Sequence, residues 1–470
     1  MKRSKRIYTL LGVLAVACIA TYGVMGYEEH KEQIRNSEEV ILEISEDSVK
    51  SISWEYESEA FSFRKEETWL YEEDEAFPVD EEKINRLLEQ FASFGVSFVI
   101  EEVEDYNQYG LDDPICRIQL KTEEQSYEIL LGNYSNMDSQ RYVSIGDGNA
   151  YLVKEDPLEQ FDIELRDLIQ HDKTPYFEKI TGIQFAGTEN YSITYEEDSE
   201  DTYCADDVYF TEYESKKKPL DTLLVEGYLS HISGLDLTDY VIYNASEEEL
   251  VSYGLDSPEL TVTVDYSYEN EDGEETSDAF VLHVSRDPKE RDLSSDTEKS
   301  DGEILEEEEI TAYVRVGESQ IVYQILGDEY KNLMAASYNE LRHQELLSAD
   351  FAEITQMDIS LEGNVYTLTS EEKDDERLWY YQEEEVEISD LRSAFAYLEA
   401  ESFTEERPTQ KEEISLTVYL ENENHPQIGV ELYRYDGDVC LAMIDGEPIS
   451  LVKRSAVVDL MEAVHGIVWN

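Results

Sequence analysis

Apolar residues recur along this chain with two periods, one typical of amphipathic helices and one typical of half-buried strands. The helical period predicts three helices, which begin near Asp80, Asp221 and Ser389. The first helix has apolar residues at i, i+3, i+4 and i+7, which are Ile84, Leu87, Leu88 and Phe91. Each predicted helix lies between segments in which apolar and polar residues alternate. The chain is therefore predicted to mix helices with antiparallel strands.

A six-residue motif occurs twice, and each copy precedes an alternating strand. Residues 109–114 read YGLDDP, and residues 253–258 read YGLDSP, 144 positions further along the chain. The glycine and proline bracket a turn whose aspartate can accept hydrogen bonds from nearby backbone amides. We therefore predict a turn that leads into a strand, in preference to a ligand loop. The strands that follow have apolar residues at Cys116, Ile118 and Leu120 and at Leu260, Val262 and Val264.

The order of strands, helix, turn, strand and hairpin occurs three times, which indicates an internal repeat. In the third copy the helix is followed by residues 405–408 (EERP) and a strand over 414–420, without the YGLD motif. Within the second copy, residues 286–309 have no apolar period, and they are predicted to form an acidic, mobile insertion. The three predicted repeat units span 40–170, 175–345 and 350–470, and the third is divergent.

The first 27 residues predict where the protein lies in the cell. Four basic residues between Lys2 and Arg6 precede a 21-residue uncharged stretch, residues 7–27, and two glutamates follow it. A helix of this length can cross the hydrocarbon core, and the basic flank predicts a cytoplasmic N-terminus. We predict an α+β fold in which a single-pass transmembrane helix is followed by the three tandem units, each with antiparallel strands and one helix. The bulk of the chain would then lie outside the cytoplasm.

Two other interpretations of this segment stay open. The residues Ala15, Val16 and Ala17 form an acceptable signal-peptide cleavage site, and Cys18 could be the lipidated residue of a lipoprotein. However, Ala15 stands where a lipobox prefers leucine, and apolar residues continue past Cys18. The uninterrupted run favours an uncleaved anchor, residues 1–27, over both alternatives.

The charge of the chain limits the classes of partner. The sequence has 36 Lys and Arg against 111 Asp and Glu, a formal net charge of −75. A protein that follows nucleic-acid phosphates needs a basic footprint, so nucleic-acid binding is excluded. The acidity also argues against docking flat on an anionic membrane surface. The cysteines outside the predicted anchor are an odd, sparse set that suits buried thiols better than a disulfide framework: Cys116, Cys204 and Cys440.

The sequence contains no recognisable catalytic or metal-binding motif. The seven histidines lack HxxxH and HExxH spacing, and the nucleophile-elbow and phosphate-loop motifs are absent. With 111 acidic residues, no single carboxylate pair is informative, and residues 268–273 lack the first aspartate of a calcium loop. The 34 tyrosines are explained first by strand propensity. We therefore predict no catalytic, cofactor-binding or metal-binding residue and no cofactor.

The arrangement resembles a bacterial family known as domain of unknown function 4340. The resemblance is carried by the two YGLDxP turns, the alternating strands after them, and residues 127–133 (YEILLGN), which lead into a hairpin over 142–153. It implies a membrane-anchored extracytoplasmic protein, of a kind often encoded beside gliding-type ABC transporters. It implies no catalytic residues, because none are established for that family.

These observations predict a non-enzymatic protein of the cell envelope, anchored in the cell membrane, that binds a protein partner. The resemblance suggests an accessory role with the subunits of a gliding-type ABC transporter. The net charge would steer a basic partner toward the chain. The alternative is a cell-envelope enzyme or binding module that acts on glycan or peptide.

Overall fold

The computed structural model describes residues 39–469, apart from 154, 271, 292–309 and 374–375. The chain divides into two compact units, Met1–His171 and Asp172–Asn470. The described part of the first unit contains one β-sheet, and that of the second unit contains two. Neighbouring strands in all three sheets run antiparallel.

The first sheet is built from strands β1 to β9, with helices α1 and α2 and three short 3-10 helices beside it. The strands are β1 (Glu39–Leu42), β2 (Val49–Tyr56), β3 (Glu59–Lys65), β4 (Trp69–Tyr71), β5 (Phe94–Ile100), β6 (Cys116–Thr122), β7 (Ser126–Ser135), β8 (Gln140–Ser144) and β9 (Ala150–Val153). The helices are α1 (Glu81–Ala92) and α2 (Leu158–Phe161), and the 3-10 helices are Glu46–Ser48, Tyr106–Tyr109 and Leu165–Leu168. The strand order across the sheet is β1-β5-β9-β8-β7-β6-β2-β3-β4.

Helix α1 is confirmed together with its predicted N-cap. The Asp80 carboxylate accepts hydrogen bonds from the backbone N–H groups of Glu82 and Lys83, at 3.0 and 3.3 Å. The four residues of the predicted apolar stripe are all buried. The stripe lies against an aromatic core, in which the ring of Phe161 is 6.1 Å from that of Phe91 and 5.4 Å from that of Trp54. Helix α1 therefore closes the core over one face of the sheet.

The second sheet is built from strands β10 to β18. They are β10 (Lys179–Gly187), β11 (Asn190–Tyr195), β12 (Tyr209–Tyr213), β13 (Lys216–Pro219), β14 (Tyr240–Ile242), β15 (Leu260–Glu269), β16 (Glu275–Arg286), β17 (Ala312–Val316) and β18 (Val322–Ile325). The helices are α3 (Thr222–Ser233), α4 (Glu247–Ser252), α5 (Gly327–Met334) and α6 (Tyr338–Leu341). The strand order is β13-β12-β11-β10-β15-β16-β17-β18-β14, so β13 is an edge strand.

The third sheet is built from strands β19 to β27. They are β19 (Ile354–Leu361), β20 (Asn364–Lys373), β21 (Glu376–Tyr381), β22 (Glu384–Val386), β23 (Ala400–Phe403), β24 (Glu412–Leu420), β25 (Gln427–Arg434), β26 (Val439–Ile444) and β27 (Glu447–Lys453). The helices are α7 (Ser389–Ala396) and α8 (Arg454–Val468). The strand order is β22-β21-β20-β19-β24-β25-β26-β27-β23.

The strand orders show the internal repeat directly. The second and third sheets have the same order of equivalent strands, with β10 matching β19 and β15 matching β24. The first sheet shares eight of the nine positions, but it has β1 at one edge and lacks an equivalent of β13 at the other. The predicted repetition of sheet units is therefore confirmed.

The two YGLD motifs are turns that lead into strands, as predicted. Gly110 and Gly254 have φ angles of +70° and +71°, which disfavour residues with a Cβ atom. A Cβ atom at Gly110 would also lie 2.6 Å from the side chain of Asn133. The leucine after each glycine is buried, and each motif tyrosine contacts a tyrosine of the following hairpin at 4.9 Å between ring centroids. The motif thus anchors the strand that follows it.

The predicted fold class was wrong in its balance of elements. The described structure is mostly antiparallel sheet, and each sheet is accompanied by more than one helix. The additional helices were missed because most are too short to produce a periodic stripe, such as α2 and α6 with four residues each. Helix α8 is longer, but the helices after the other two terminal hairpins, α2 and α5, are much shorter. The internal repeat therefore gives no indication of a helix of this length.

The predicted N-terminal transmembrane helix is not part of the described fold. The predicted span, residues 7–27, lies outside the described residues. Within the described ranges, every helix is too short or too polar to span a bilayer. Most of the predicted insertion, residues 292–309, also lies outside the description, while Arg286 ends β16 and pairs with Ala312.

Candidate functional site

A short basic strand at the edge of the second sheet forms one wall of a cleft. Strand β13 reads KKKP, the only run of three consecutive basic residues in the sequence. It pairs with β12 through a two-residue turn, Glu214-Ser215, in which both φ angles are positive. Such tight turns fix the register of a hairpin. The alternation of a strand then directs Lys217 to one face and Lys216 and Lys218 to the other.

The three lysines of β13 have different surroundings. The Lys217 ammonium group lies 2.6 Å from a Glu196 carboxylate oxygen and 3.0 Å from an Asp201 oxygen. Lys216 and Lys218 face the cleft, and neither forms an ion pair with a described residue. Burial, followed by the neighbouring charges of Lys216 and Arg342, lowers the pKa of Lys218. Two cations therefore line the cleft without forming an ion pair, although the charges of Glu214 and Glu447 act on Lys218 and partly offset the lowering of its pKa.

Helix α6 and the residue after it form the second wall. The rings of Tyr338 and Tyr213 are stacked, with centroids 4.2 Å apart and planes inclined by 16°. The Arg342 guanidinium carbon lies 4.9 Å from the Tyr338 ring centroid and 4.2 Å from that of Phe403. Burial lowers the pKa of Arg342, although an arginine keeps its charge at any physiological pH. Two aromatic rings thus hold this third cation in place.

The third wall comes from the third sheet. It consists of Phe403 at the end of β23, residues 404, 405 and 407 after it, and residues 447–449 at the start of β27. Arg407 is exposed and pairs with Glu447 at 3.3 Å. The cleft has a volume of about 690 Å³. Its charged lining residues are Lys216, Lys218, Arg342, Arg407, Glu214, Glu405 and Glu447, and its apolar walls are Tyr213, Tyr338, Phe403, Pro448 and Ile449.

The charge of this cleft is opposite to that of the chain. Four basic residues face three acidic ones in the lining, whereas the whole sequence has about three acids for every base. Guanidinium and ammonium groups bind carboxylates and phosphates through charge-assisted hydrogen bonds. Among the described lining residues there is no histidine, cysteine or aspartate. The excess of basic residues therefore suits the binding of an anion.

The residue after Arg342 in the sequence, His343, is partly buried and contacts two aspartates. The Nε2 atom of His343 is 2.8 Å from an oxygen of Asp207, and its Nδ1 atom is 3.8 Å from an oxygen of Asp221. The Thr202 hydroxyl donates a hydrogen bond of 2.6 Å to the other oxygen of Asp207. Asp221 also caps helix α3 through the backbone N–H groups of residues 223 and 224. These contacts thus tie the segment after α6 to the loop before β12.

Two histidines outside this cleft contact neighbouring side chains. His283 hydrogen-bonds Thr261 at 3.0 Å, and His465 stacks on Trp469. Within the described ranges, no group of three His, Cys, Asp or Glu side chains is arranged so that it could hold a metal ion. The tyrosine excess is partly explained by packing, because the hydroxyls of the partly buried Tyr191 and the buried Tyr228 donate hydrogen bonds to backbone carbonyls at 2.8 and 3.0 Å.

The three described cysteines are free thiols. Cys116 and Cys440 are buried, and Cys204 is partly buried. Burial raises the pKa of Cys116 to about 12 and the pKa of Cys204 and Cys440 to about 11. Thiols of this kind are poor nucleophiles near neutral pH. They therefore add no catalytic group.

Sequence reasoning missed the cleft, although one local signal pointed to it. The side chains that form it come from distant parts of the chain: Tyr213 and Tyr338 are 125 positions apart, and Tyr338 and Phe403 are 65 positions apart. No periodicity connects such positions. The KKKP run was the available signal, because three adjacent lysines are unusual in a chain with a net charge of −75.

Comparison with known families gives one match. A family model described as Domain of unknown function (DUF4340) matches residues 69–258 and, in a second and overlapping match, residues 211–417. The first match begins in β4 and the second in β12, which are equivalent strands of their sheets. The matches end just before β15 and within β24, which are also equivalent. No curated protein matches the chain.

Proposed function

This chain belongs to the Domain of unknown function (DUF4340) family, and from that premise we propose that it is a non-catalytic binding protein of the cell envelope. In this proposal residues 7–27 hold it at the cell membrane, and the three sheets lie on the extracytoplasmic side. Its ligand is a protein partner. The leading candidate is a subunit of a gliding-type ABC transporter, a choice that rests on the family resemblance.

The observation that carries this proposal is the cleft beside β13. It offers unpaired cations and aromatic walls, which are the groups that anchor protein interfaces. Its described lining has more basic than acidic residues and contains no histidine or cysteine, the residues that most often serve as catalytic base and nucleophile. Binding is therefore the function that its composition supports best, in preference to an enzyme of the cell envelope that cleaves glycan or peptide.

The charge of the chain supports a protein partner with a basic surface. A net charge of −75 creates a long-range field that attracts positive surfaces and repels polyanions. Salt screens such a field beyond about 10 Å at 0.1 M ionic strength. Association with the partner should therefore weaken as the salt concentration rises.

The test is co-purification of the full-length chain with the membrane subunits of a gliding-type ABC transporter from the same cell, after co-expression and detergent extraction. We expect the complex at about 50 mM salt and its loss at about 500 mM salt. A parallel assay incubates the purified chain with cell-wall glycan and peptide and measures new reducing ends and amines. Hydrolysis in that assay, with no membrane partner recovered at either salt concentration, would overturn the proposal in favour of the enzyme.

A further inference from the structure

We propose that the cleft beside β13 binds an extended acidic segment of a protein partner, in which an apolar residue lies between the carboxylates. This inference rests on the proposed function, because it names the chemistry by which the partner is recognised. The carboxylates of the segment contact Lys216, Lys218 and Arg342, and the apolar residue packs on Phe403.

The first argument is that none of these three cations forms an ion pair with a described residue, although Glu214, Glu405 and Glu447 line the same cleft. Lys216 is exposed, but Lys218 and Arg342 are partly buried. An unpaired, partly buried cation is costly, and a chain with 111 acidic residues has many ways to pair it. Lys217, on the other face of the same strand, has two such partners. The missing partners in the cleft are therefore best supplied by a ligand.

The second argument is that Arg342 is held in position before any ligand binds. Its guanidinium group lies over the rings of Tyr338 and Phe403, at 4.9 and 4.2 Å from their centroids. A positioned guanidinium loses little side-chain entropy when it binds a carboxylate in a bidentate manner. The neighbouring aromatic surface favours a ligand that also carries an apolar group.

The third argument favours an extended peptide over a small anion. Strand β13 is the last strand of its sheet, so its outer edge has no strand partner among the described residues. A free edge can hydrogen-bond an extended segment, and alternate side chains of that segment then enter the adjacent pocket. Phosphate or sulfate would use the cations but leave the aromatic wall and the edge unused.

The fourth argument limits the charge of the ligand. The field of the whole chain repels dense polyanions, whereas one or two carboxylates can be held by close contact in the cleft. The ligand is thus an acidic segment set in a neutral or basic surface. This composition agrees with the salt dependence expected for the partner as a whole.

The lysines of β13 also have a purely structural explanation. Lysine on an edge strand discourages pairing between sheets of different molecules, and Pro219 has the same effect. On that explanation Lys216 and Lys218 would protect the protein from aggregation and would bind nothing. The two explanations predict different results in a binding assay.

The test is a fluorescence-anisotropy titration of the full-length chain, in detergent, with a labelled peptide in which Glu and Phe alternate. The variant K216Q/K218Q should bind this peptide about tenfold more weakly, since two partly exposed ion pairs are lost. The matched control is K50Q/K121Q, which removes two exposed lysines from the neighbouring strands β2 and β6. The control should bind within twofold of the wild type. The charge-preserving variant K216R/K218R should bind like the wild type.

Several results would overturn the inference. One is equal binding of a control peptide with Gln in place of Glu, and another is an unchanged affinity in K216Q/K218Q. Displacement of the peptide by inorganic phosphate at equal concentration would show a general anion site instead. If K216Q/K218Q aggregates, the affinities of K216R/K218R and R342Q for the peptide are compared instead. Weaker binding by R342Q together with unchanged binding by K216R/K218R supports the site. Any other combination refutes it.

The peptide-binding test of the cleft and the co-purification test of the proposed function can fail independently. If the transporter subunit co-purifies with K216Q/K218Q as well as with the wild type, the proposed function stands and the cleft is not its contact. If the peptide binds but no membrane partner is recovered, the site stands and the proposed function fails.

Discussion

The pair formed by His343 and Asp207 should make the stability of the second unit depend on pH. Burial by itself lowers the pKa of the His343 imidazole, but the hydrogen bond and charge of Asp207, with Asp221 and Glu345, outweigh it and raise the pKa above its ordinary value of 6.5. The Asp207 side chain is only 2% exposed, so the pair is shielded from solvent. The charged form of the imidazole is therefore favoured by folding.

The sign of the effect follows from linkage. A group whose pKa is higher in the folded state binds a proton more tightly there than in the unfolded state. Its contribution to the free energy of unfolding is fully present below about pH 6.5 and is lost as the pH rises through the folded pKa. The local stability around the pair should therefore fall between about pH 6.5 and the folded pKa.

The magnitude can be bounded by substitution. His343→Gln keeps a neutral hydrogen-bond donor for Asp207 but removes the positive charge. It should therefore lower the free energy of unfolding by about 1–2 kcal/mol at pH 6, the value of one charge-assisted hydrogen bond. His343→Leu also removes the donor and leaves Asp207 with Thr202 as its side-chain partner. Because a buried carboxylate without its cation is costly, this variant should lower the free energy of unfolding by about 3 kcal/mol.

The assay is hydrogen exchange measured by mass spectrometry at pH 6 and pH 8, followed in segments 201–208 and 342–350. Comparing the wild type with a variant at one pH cancels the pH dependence of the intrinsic exchange rate. We expect faster exchange in His343→Gln at pH 6 and a smaller difference at pH 8. The control is His231→Gln, an exposed histidine in the last turn of α3. If the difference in exchange rate between His343→Gln and the wild type is the same at both pH values, or larger at pH 8, this reasoning is refuted.

Two further predictions concern the repeat and the thiols. Gly110→Ala should destabilise the first unit by about 1–2 kcal/mol, because φ is +70° and the new Cβ atom would meet Asn133, whereas Gly227→Ala, in open space within α3, should stabilise slightly. Urea unfolding measures both changes, and equal midpoints for the two variants would contradict the strain argument. Cys116 and Cys440 should resist iodoacetamide at pH 8 until the chain is denatured, because burial raises their pKa and blocks access. Mass spectrometry measures the modification, and rapid labelling of the native chain would contradict it.

Elements that depend on neighbouring residues were predictable from the sequence. The stripe of α1, its cap at Asp80 and the strands after the two YGLD turns all arise within short windows, so the periodicity revealed them. The hairpin turn at Gly446 was likewise encoded by a local Asp-Gly pair. Short helices such as α6 were not predictable, because four residues give no period.

Features that depend on distant residues could not be predicted in this way. His343 and Asp207 are 136 positions apart, and only the fold brings them together. The stacking of Tyr338 on Tyr213 has the same origin. The KKKP run could have suggested an edge strand, but its position beside Arg342 depends on the packing of the second sheet with the third.

The cleft is formed where the three copies of the repeat differ. In the first two copies, the segment before β6 or β15 is the YGLD turn, which buries its leucine and packs its tyrosine on a hairpin. In the third copy, the equivalent segment after β23 lacks that turn and contributes Thr404, Glu405 and Arg407 to the cleft. The opposite wall, β13, has no equivalent in the first sheet. Shared elements therefore maintain the fold, and the proposed binding cleft is lined by segments that at least one copy of the repeat lacks, as expected if function is added to a repeated scaffold.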